Sequence, residues 1–266
     1  EESSNVGMAK IAMAHYSNNV DAYYKHLTKL RLDSLSGIDL IGERRPQITK
    51  PGDKLYGPTT LPWMAFGYNI AIAPIQTLNL YNAIANNGYW IQPIIVKKAT
   101  IGNQVVVDYT ESQKRDDKPL CSPETLKKIK IMLEGVVERG TGNNLKGTPY
   151  GIAGKTGTAQ RRVNGQYIKG TYYTSFIGYF PVAKPKYTML VAMDKPEGNS
   201  EGTYARQVTA PVFKEIADHI YSRDMKLQRK LAGYLPDSLN NAQLSHTIHP
   251  MDHEVLYANF HLPKVE

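Results

Sequence analysis

The chain holds one cysteine, Cys121, in 266 residues. An internal disulfide is thereby excluded, and so is a metal site built on several thiolates. Tryptophan is scarce too: Trp63 and Trp90 are the only two, and both read as packing residues rather than ligand platforms. No stretch of about 18 apolar residues occurs, so no segment reads as a transmembrane helix. No secretory leader opens the chain, because Glu1-Glu2-Ser3-Ser4-Asn5 lacks a basic start and an apolar core. The sequence is therefore expected to be cut from a longer one. Blocks of Lys and Arg with interleaved aromatics are missing as well, which argues against nucleic acid as a partner.

What is present is the composition of a globular protein, 41% hydrophobic and 21% charged. The length suits one large domain or two small ones. The formal net charge is +8, from 32 Lys and Arg against 24 Asp and Glu. After Asp224 the chain is neutral: Lys226, Arg229, Lys230 and Lys264 balance Asp237, Asp252, Glu254 and Glu266. The excess lies upstream, where it suits an anionic substrate, an anionic membrane surface, or an ordinary basic surface.

Residues 5–30 read as helix, broken near His15-Tyr16-Ser17-Asn18-Asn19 and capped by Ser3, Ser4 or Asn5. Residues 36–62 are dense in Gly and Pro and read as a long ordered loop, with Glu43 beside Arg44 and Arg45 fixing it. Pro74 suits the first turn of a helix that Asn86-Asn87-Gly88 ends. Ile91, Ile94 and Val96, then Val105 to Tyr109, read as strands around Gly102-Asn103. Ser122-Pro123 opens a helix with Leu126, Ile129, Leu133, Val136 and Val137 on its buried stripe, and Arg139-Gly140 stops it. Three strands follow, joined by short turns, and imply an antiparallel sheet. Asn164-Gly165 marks the first turn, within a polar loop from Arg161 to Gly170. Residues 203–222 read as a helix with Val208, Val212, Ile216 and Ile220 on one face, which Pro211 starts or kinks. Four of the seven histidines, His246, His249, His253 and His261, lie in the final segment, but no regular spacing makes them a metal site.

The chemistry concentrates in Tyr150-Gly151-Ile152-Ala153-Gly154-Lys155-Thr156-Gly157-Thr158-Ala159-Gln160. Lys155 brings a cation. Thr156 and Thr158 alternate with Gly157, so on an extended chain both hydroxyls point to one face. Gly157 lets another group approach the backbone. Together they suit a carboxylate-bearing ligand.

This strand resembles the third active-site motif of the penicillin-binding proteins, the serine D,D-transpeptidases, and Ser3-Ser4-Asn5 resembles their second motif, Ser-x-Asn. Further matches are Gly37-Ile38-Asp39 with Gly42-Glu43, Phe66-Gly67-Tyr68 before Pro74-Ile75-Gln76, and Asn86-Asn87-Gly88. Tyr173 to Pro181, followed by Pro185-Lys186-Tyr187, also matches. They point to the class B branch, and the Tyr68, Gln76 and Gly88 region is more similar to the cell-division type than to the elongation type. The resemblance spans residues 1–222, the C-terminal part of the transpeptidase domain, and leaves 223–266 as a polar linker or tail.

The resemblance implies an α+β fold of mixed type, an antiparallel sheet flanked by helices, like the β-lactamases and transpeptidases but incomplete. The family's first motif, Ser-x-x-Lys, is missing: no serine here has a lysine three residues on. The chain is expected to be inactive alone, as part of an enzyme that cross-links peptidoglycan stem peptides ending in D-Ala-D-Ala and binds β-lactam antibiotics. By the resemblance, Ser3, Asn5 and Lys155 are catalytic, while Thr156, Gly157 and Thr158 bind substrate. Ser3 relays a proton, Asn5 holds the substrate amide, Lys155 supports Ser3, and the Thr158 N–H forms half of an oxyanion hole. No metal and no cofactor is implied. The implied location is the periplasmic face of the bacterial inner membrane, with cell-division or elongation proteins as partners through the full-length chain. Two other readings stay open: a serine β-lactamase or β-lactam sensor, and a non-catalytic binding module of the same fold.

Overall fold

The computed structural model describes residues 1–163, 166–196, 204–224 and 227–228. Residues 1–217 form one compact unit and 218–266 a second.

The chain starts with α1 (Asn5–Tyr16), which Ser4 caps by accepting the Gly7 N–H at 3.1 Å. α2 (Val20–Lys29) follows the expected break, capped by Asn19. The Gly/Pro-rich stretch is largely irregular. It carries β1 (Gln47–Ile48) and α3 (Thr60–Met64), and β1 pairs with β2 (Ile70–Ala71). Glu43 fixes this loop to the next helix. Its carboxylate accepts from Ser36 N at 2.8 Å, Ser36 Oγ at 3.0 Å and Gln76 Nε2 at 2.9 Å. Gln76 belongs to α4 (Pro74–Ala85), which opens on its proline as the sequence requires.

The next hairpin departs from expectation. Its strands are β3 (Lys98–Ile101) and β4 (Gln104–Asp108), and Ile91 to Val96 contribute only an isolated bridge from Ile91 to Arg115. Pro93 has no N–H for a ladder, and the amides of Ile95 and Val96 donate to the Asp39 carboxylate at 2.7 and 3.0 Å. α5 (Pro123–Glu138) is capped by Ser122, whose Oγ accepts from Thr125 N at 3.2 Å.

The central sheet runs β5 (Ala153–Val163), β6 (Gln166–Phe180), β7 (Tyr187–Asp194), all antiparallel in that order. The segment from Arg161 to Gly170 extends these strands rather than forming a loop, since pairing continues to Val163 opposite Gln166. The turn residues Asn164 and Gly165 lie outside the described residues.

Helices cover both faces of the sheet. Ala153 and Tyr179 pack with Ala85 of α4 and Leu133 of α5. Phe176 and Phe180, on alternate positions of β6, meet Phe213 of α6 (Ala205–Arg223) on the other side. Phe176, Phe180 and Phe213 are fully buried, each contributing about 1.5–3 kcal/mol of transfer free energy. α6 does not bury the expected Val208–Ile220 stripe. Its buried positions are Ala205, Thr209, Ala210, Phe213 and Ala217, and Ile216 is exposed. Small side chains let the helix lie close while Phe213 fills the core, and Pro211 sits inside the helix.

In the second unit, Gln228 Nε2 donates to Tyr221 O at 2.9 Å. His246, His249, His253 and His261 lie outside the described residues.

Gly154 and Gly178 face each other across β5 and β6. A Cβ on Gly178 would strike the carbonyl of Ala153, and one on Gly154 that of Ile177. Gly178→Ala is therefore expected to destabilise the fold by about 1–3 kcal/mol, lowering the melting temperature by several degrees. Gly57→Ala, which meets open space, is expected to change stability by less than about 0.5 kcal/mol. Parallel thermal melts of the two variants check this.

Candidate active site

β5 is an edge strand, and the segment joining α5 to it starts with the turn Arg139-Gly140-Thr141-Gly142 and runs through a short 3-10 helix, Asn143–Leu145. That turn is pinned by backbone bonds from Gly140 N to Gly135 O at 3.0 Å and from Gly142 N to Val136 O at 2.9 Å.

Lys155 is half-buried. Its Nζ donates to Ser3 Oγ at 2.7 Å, Thr156 O at 3.0 Å and Thr156 Oγ1 at 3.3 Å. An ammonium has three N–H bonds, so each finds an acceptor. Burial lowers the Lys155 pKa from the ordinary 10.5, while the three acceptors favour the charged form. Ser3 Oγ accepts from Lys155 and keeps its own proton free to donate.

Ser3 has φ of 56°, a left-handed conformation that a residue with a side chain holds only when its surroundings dictate it. Lys155 supplies one restraint and the Ser4 cap a second. The third is Glu1, whose carboxylate accepts from Arg139 Nη2 at 2.6 Å and Nε at 3.2 Å. The hydrogen bond and charge of Arg139 hold the Glu1 carboxyl below its ordinary value. Glu1 reaches α5 because two glycines leave room. A Cβ on Gly140 would lie 2.6 Å from Glu1 O, and one on Gly135 would strike the Glu1 carboxylate.

Of the residues singled out from sequence, the structure brings Ser3, Lys155 and Thr156 into one hydrogen-bonded group. Thr156 and Thr158 share a face of β5, opposite Phe176 and Thr174 of β6. Thr158 Oγ1 accepts from Ala205 N, the first residue of α6, at 3.2 Å. Gly157 faces Ser175, whose Oγ would lie 2.6 Å from a Cβ placed there. Asn5 is the first residue of α1, exposed beside this group. Sequence reasoning missed Thr141, whose Oγ1 lies 2.7 Å from Thr156 Oγ1. It also took Arg139 only as a basic helix end.

The Transpeptidase family, described as the penicillin binding protein transpeptidase domain, matches residues 1–218. The chain belongs to this family. Stage V sporulation protein D of Bacillus subtilis (strain 168) is 32% identical over 209 residues, 77% of this chain and 32% of that protein. Peptidoglycan D,D-transpeptidase FtsI of Buchnera aphidicola subsp. Schizaphis graminum is 31% identical over 245 residues, 91% of this chain and 38% of that protein. Penicillin-binding protein 3 from Mycobacterium tuberculosis, solved in complex with aztreonam, superposes with a TM-score of 0.67 at 28% identity. The match covers 84% of this chain and 50% of that one. The chain thus spans about a third of the length of the curated relatives it matches. Among the described residues, no helix of this transpeptidase-family chain is long and apolar enough to cross a membrane.

The lowered Lys155 pKa fixes the sign of a stability effect. Between that value and 10.5 the unfolded chain binds more protons than the folded one, so this group's contribution to stability rises with pH across that window. Lys155→Met is expected to reduce the rise by this group's share. Urea midpoints of both proteins from about pH 8 to about pH 11 report it, and a Lys155 titration at or above the ordinary value would contradict it.

Proposed function

We propose that this chain supplies the proton-relaying and carboxylate-binding half of a peptidoglycan D,D-transpeptidase active site. The observation that carries the reading is the 2.7 Å hydrogen bond from Lys155 Nζ to Ser3 Oγ, between residues 152 positions apart. It joins the two motifs that the family resemblance makes catalytic. The name of the FtsI relative, peptidoglycan D,D-transpeptidase, supports the same activity.

In this reading the nucleophilic serine comes from a Ser-x-x-Lys segment outside these 266 residues. Its hydroxyl attacks the carbonyl between the two terminal D-alanines of a stem peptide. The serine O–C bond forms as its proton passes to the lysine of the same Ser-x-x-Lys segment, the C–N bond breaks, and Ser3 passes a proton to the departing D-alanine amine and regains one from that lysine. Lys155 donates to Ser3 Oγ throughout, so the Ser3 proton faces the leaving group. The amine of a second stem peptide then takes the acyl group and completes the cross-link. β-Lactams acylate the same serine.

Thr156 and Thr158 bind the terminal carboxylate. Thr158 already accepts from Ala205 N, which leaves its own proton to donate. The Thr158 N–H forms half of the oxyanion hole, and losing one such donor typically costs about 2.7–4 kcal/mol of barrier. Asn5 holds the substrate amide. Gly157 keeps the strand backbone open to the ligand. The segment bearing the nucleophile covers α1, whose Val6, Met8 and Ile11 are exposed. The assembled enzyme works at the periplasmic face of the inner membrane with division or elongation proteins.

Fluorescent penicillin is expected to leave this chain unlabelled, since the acylated serine is not in it. N-acetyl-D-alanyl-D-alanine is expected to shift the NMR signals of residues 155–158 in wild type and not in Lys155→Met. Covalent labelling of the chain, or dipeptide shifts confined to other residues, would overturn the reading.

A further inference from the structure

The Thr141–Thr156 contact has no part in the reaction described so far. It rests on hydroxyl valence. Thr156 Oγ1 has two lone pairs and one proton. Lys155 Nζ, which carries only donors, occupies one lone pair at 3.3 Å. Thr141 Oγ1, at 2.7 Å, either accepts the Thr156 proton or donates to its second lone pair. If Thr141 accepts, Thr156 has no proton for a ligand. If Thr141 donates, both lone pairs of Thr156 are filled and its proton must point outward, to an acceptor.

We propose that Thr141 is a positioning residue for carboxylate recognition: it donates to Thr156, which turns the Thr156 proton toward the incoming anion. This rests on the carboxylate-binding reading of the site. The direction follows from energetics. A hydroxyl-to-carboxylate bond is charge-assisted and stronger than a hydroxyl-to-hydroxyl bond. The run Thr141 to Thr156 to carboxylate also polarises in one sense, so each bond strengthens the next. The geometry is fixed before the ligand arrives. Thr141 is half-buried and sits between Gly140 and Gly142, whose amides are tied to α5. A Cβ on Gly142 would press on Phe176 and Val136 at 3.4 Å, so the turn lies flush against the core.

The test uses this chain and two probes, N-acetyl-D-alanyl-D-alanine and its C-terminal amide, titrated by NMR. Thr141→Val is expected to weaken the acid about three- to tenfold, the range of one neutral hydrogen bond, and to leave the amide unchanged. Thr141→Ser keeps the hydroxyl and restores acid binding. Thr141→Ala repeats the measurement without the valine methyl, should Thr141→Val fold poorly. If acid and amide weaken together in Thr141→Val and Thr141→Ala, the residue is merely structural and the proposal is overturned. Thr156→Val separates the two claims. If it loses acid binding while Thr141→Val and Thr141→Ala keep it, the Thr141 proposal fails alone. If Thr156→Val keeps acid binding too, the carboxylate reading of the site fails with it.

Discussion

One ammonium ties the two ends of the site together. Lys155 lies on β5 and Ser3 precedes α1, and no covalent feature brings them near each other. Burial disfavours the charge on Lys155, and three acceptors offset that cost because each N–H has a partner. Without Ser3 one N–H would face the cleft unpaired. Without Lys155 the left-handed Ser3 would lose its strongest restraint. Each residue therefore makes the other's position tenable, and the site is organised before any ligand enters. Pre-organised donors of this kind need no rearrangement as charge develops on the substrate.

The elements around that pair are shaped by what is left out. Gly154 faces Gly178 across the sheet, Gly157 faces Ser175, and Gly135 and Gly140 make room for Glu1. These glycines are places where a methyl group would strike backbone or a neighbouring side chain. The Glu1–Arg139 pair is exposed on the arginine side, where ion pairs are weak contributors to stability. Its effect is better described as geometry. It holds the loop before α1 against the end of α5.

Local chemistry made much of the fold legible. Ser122-Pro123, Pro74 and the break after Tyr16 carry their own start and stop signals, and three strands with short turns leave one plausible pairing. The failures share a cause. Ile91 to Val96 look like a strand, but the amides of Ile95 and Val96 are engaged by Asp39, 56 and 57 positions away. α6 carries a good aliphatic stripe yet buries Ala205, Thr209, Ala210 and Ala217, because close approach to the sheet outweighs side-chain size. In the site, Lys155, Thr156 and Ser3 were legible through the family motifs. Thr141 was not, since its value depends on where a turn points one hydroxyl.

The proposed half-site also bears on where a nucleophile would enter. Lys155 and Thr156 lie on an edge strand, and Ser3, just before α1, presents a free proton; α1 exposes Val6 and Ile11 to water at 64% and 54%. Thr158 is held from the other side by α6, and Thr141 closes the end toward α5. A group arriving from the α6 or α5 side would displace one of these contacts. Approach over α1 covers its exposed Val6, Met8 and Ile11, and burying such apolar surface is favourable by about 25 cal/mol per Å². In the proposed half-site, a nucleophile carried by a segment lying over α1 would arrive beside Ser3, whose proton Lys155 leaves free to donate.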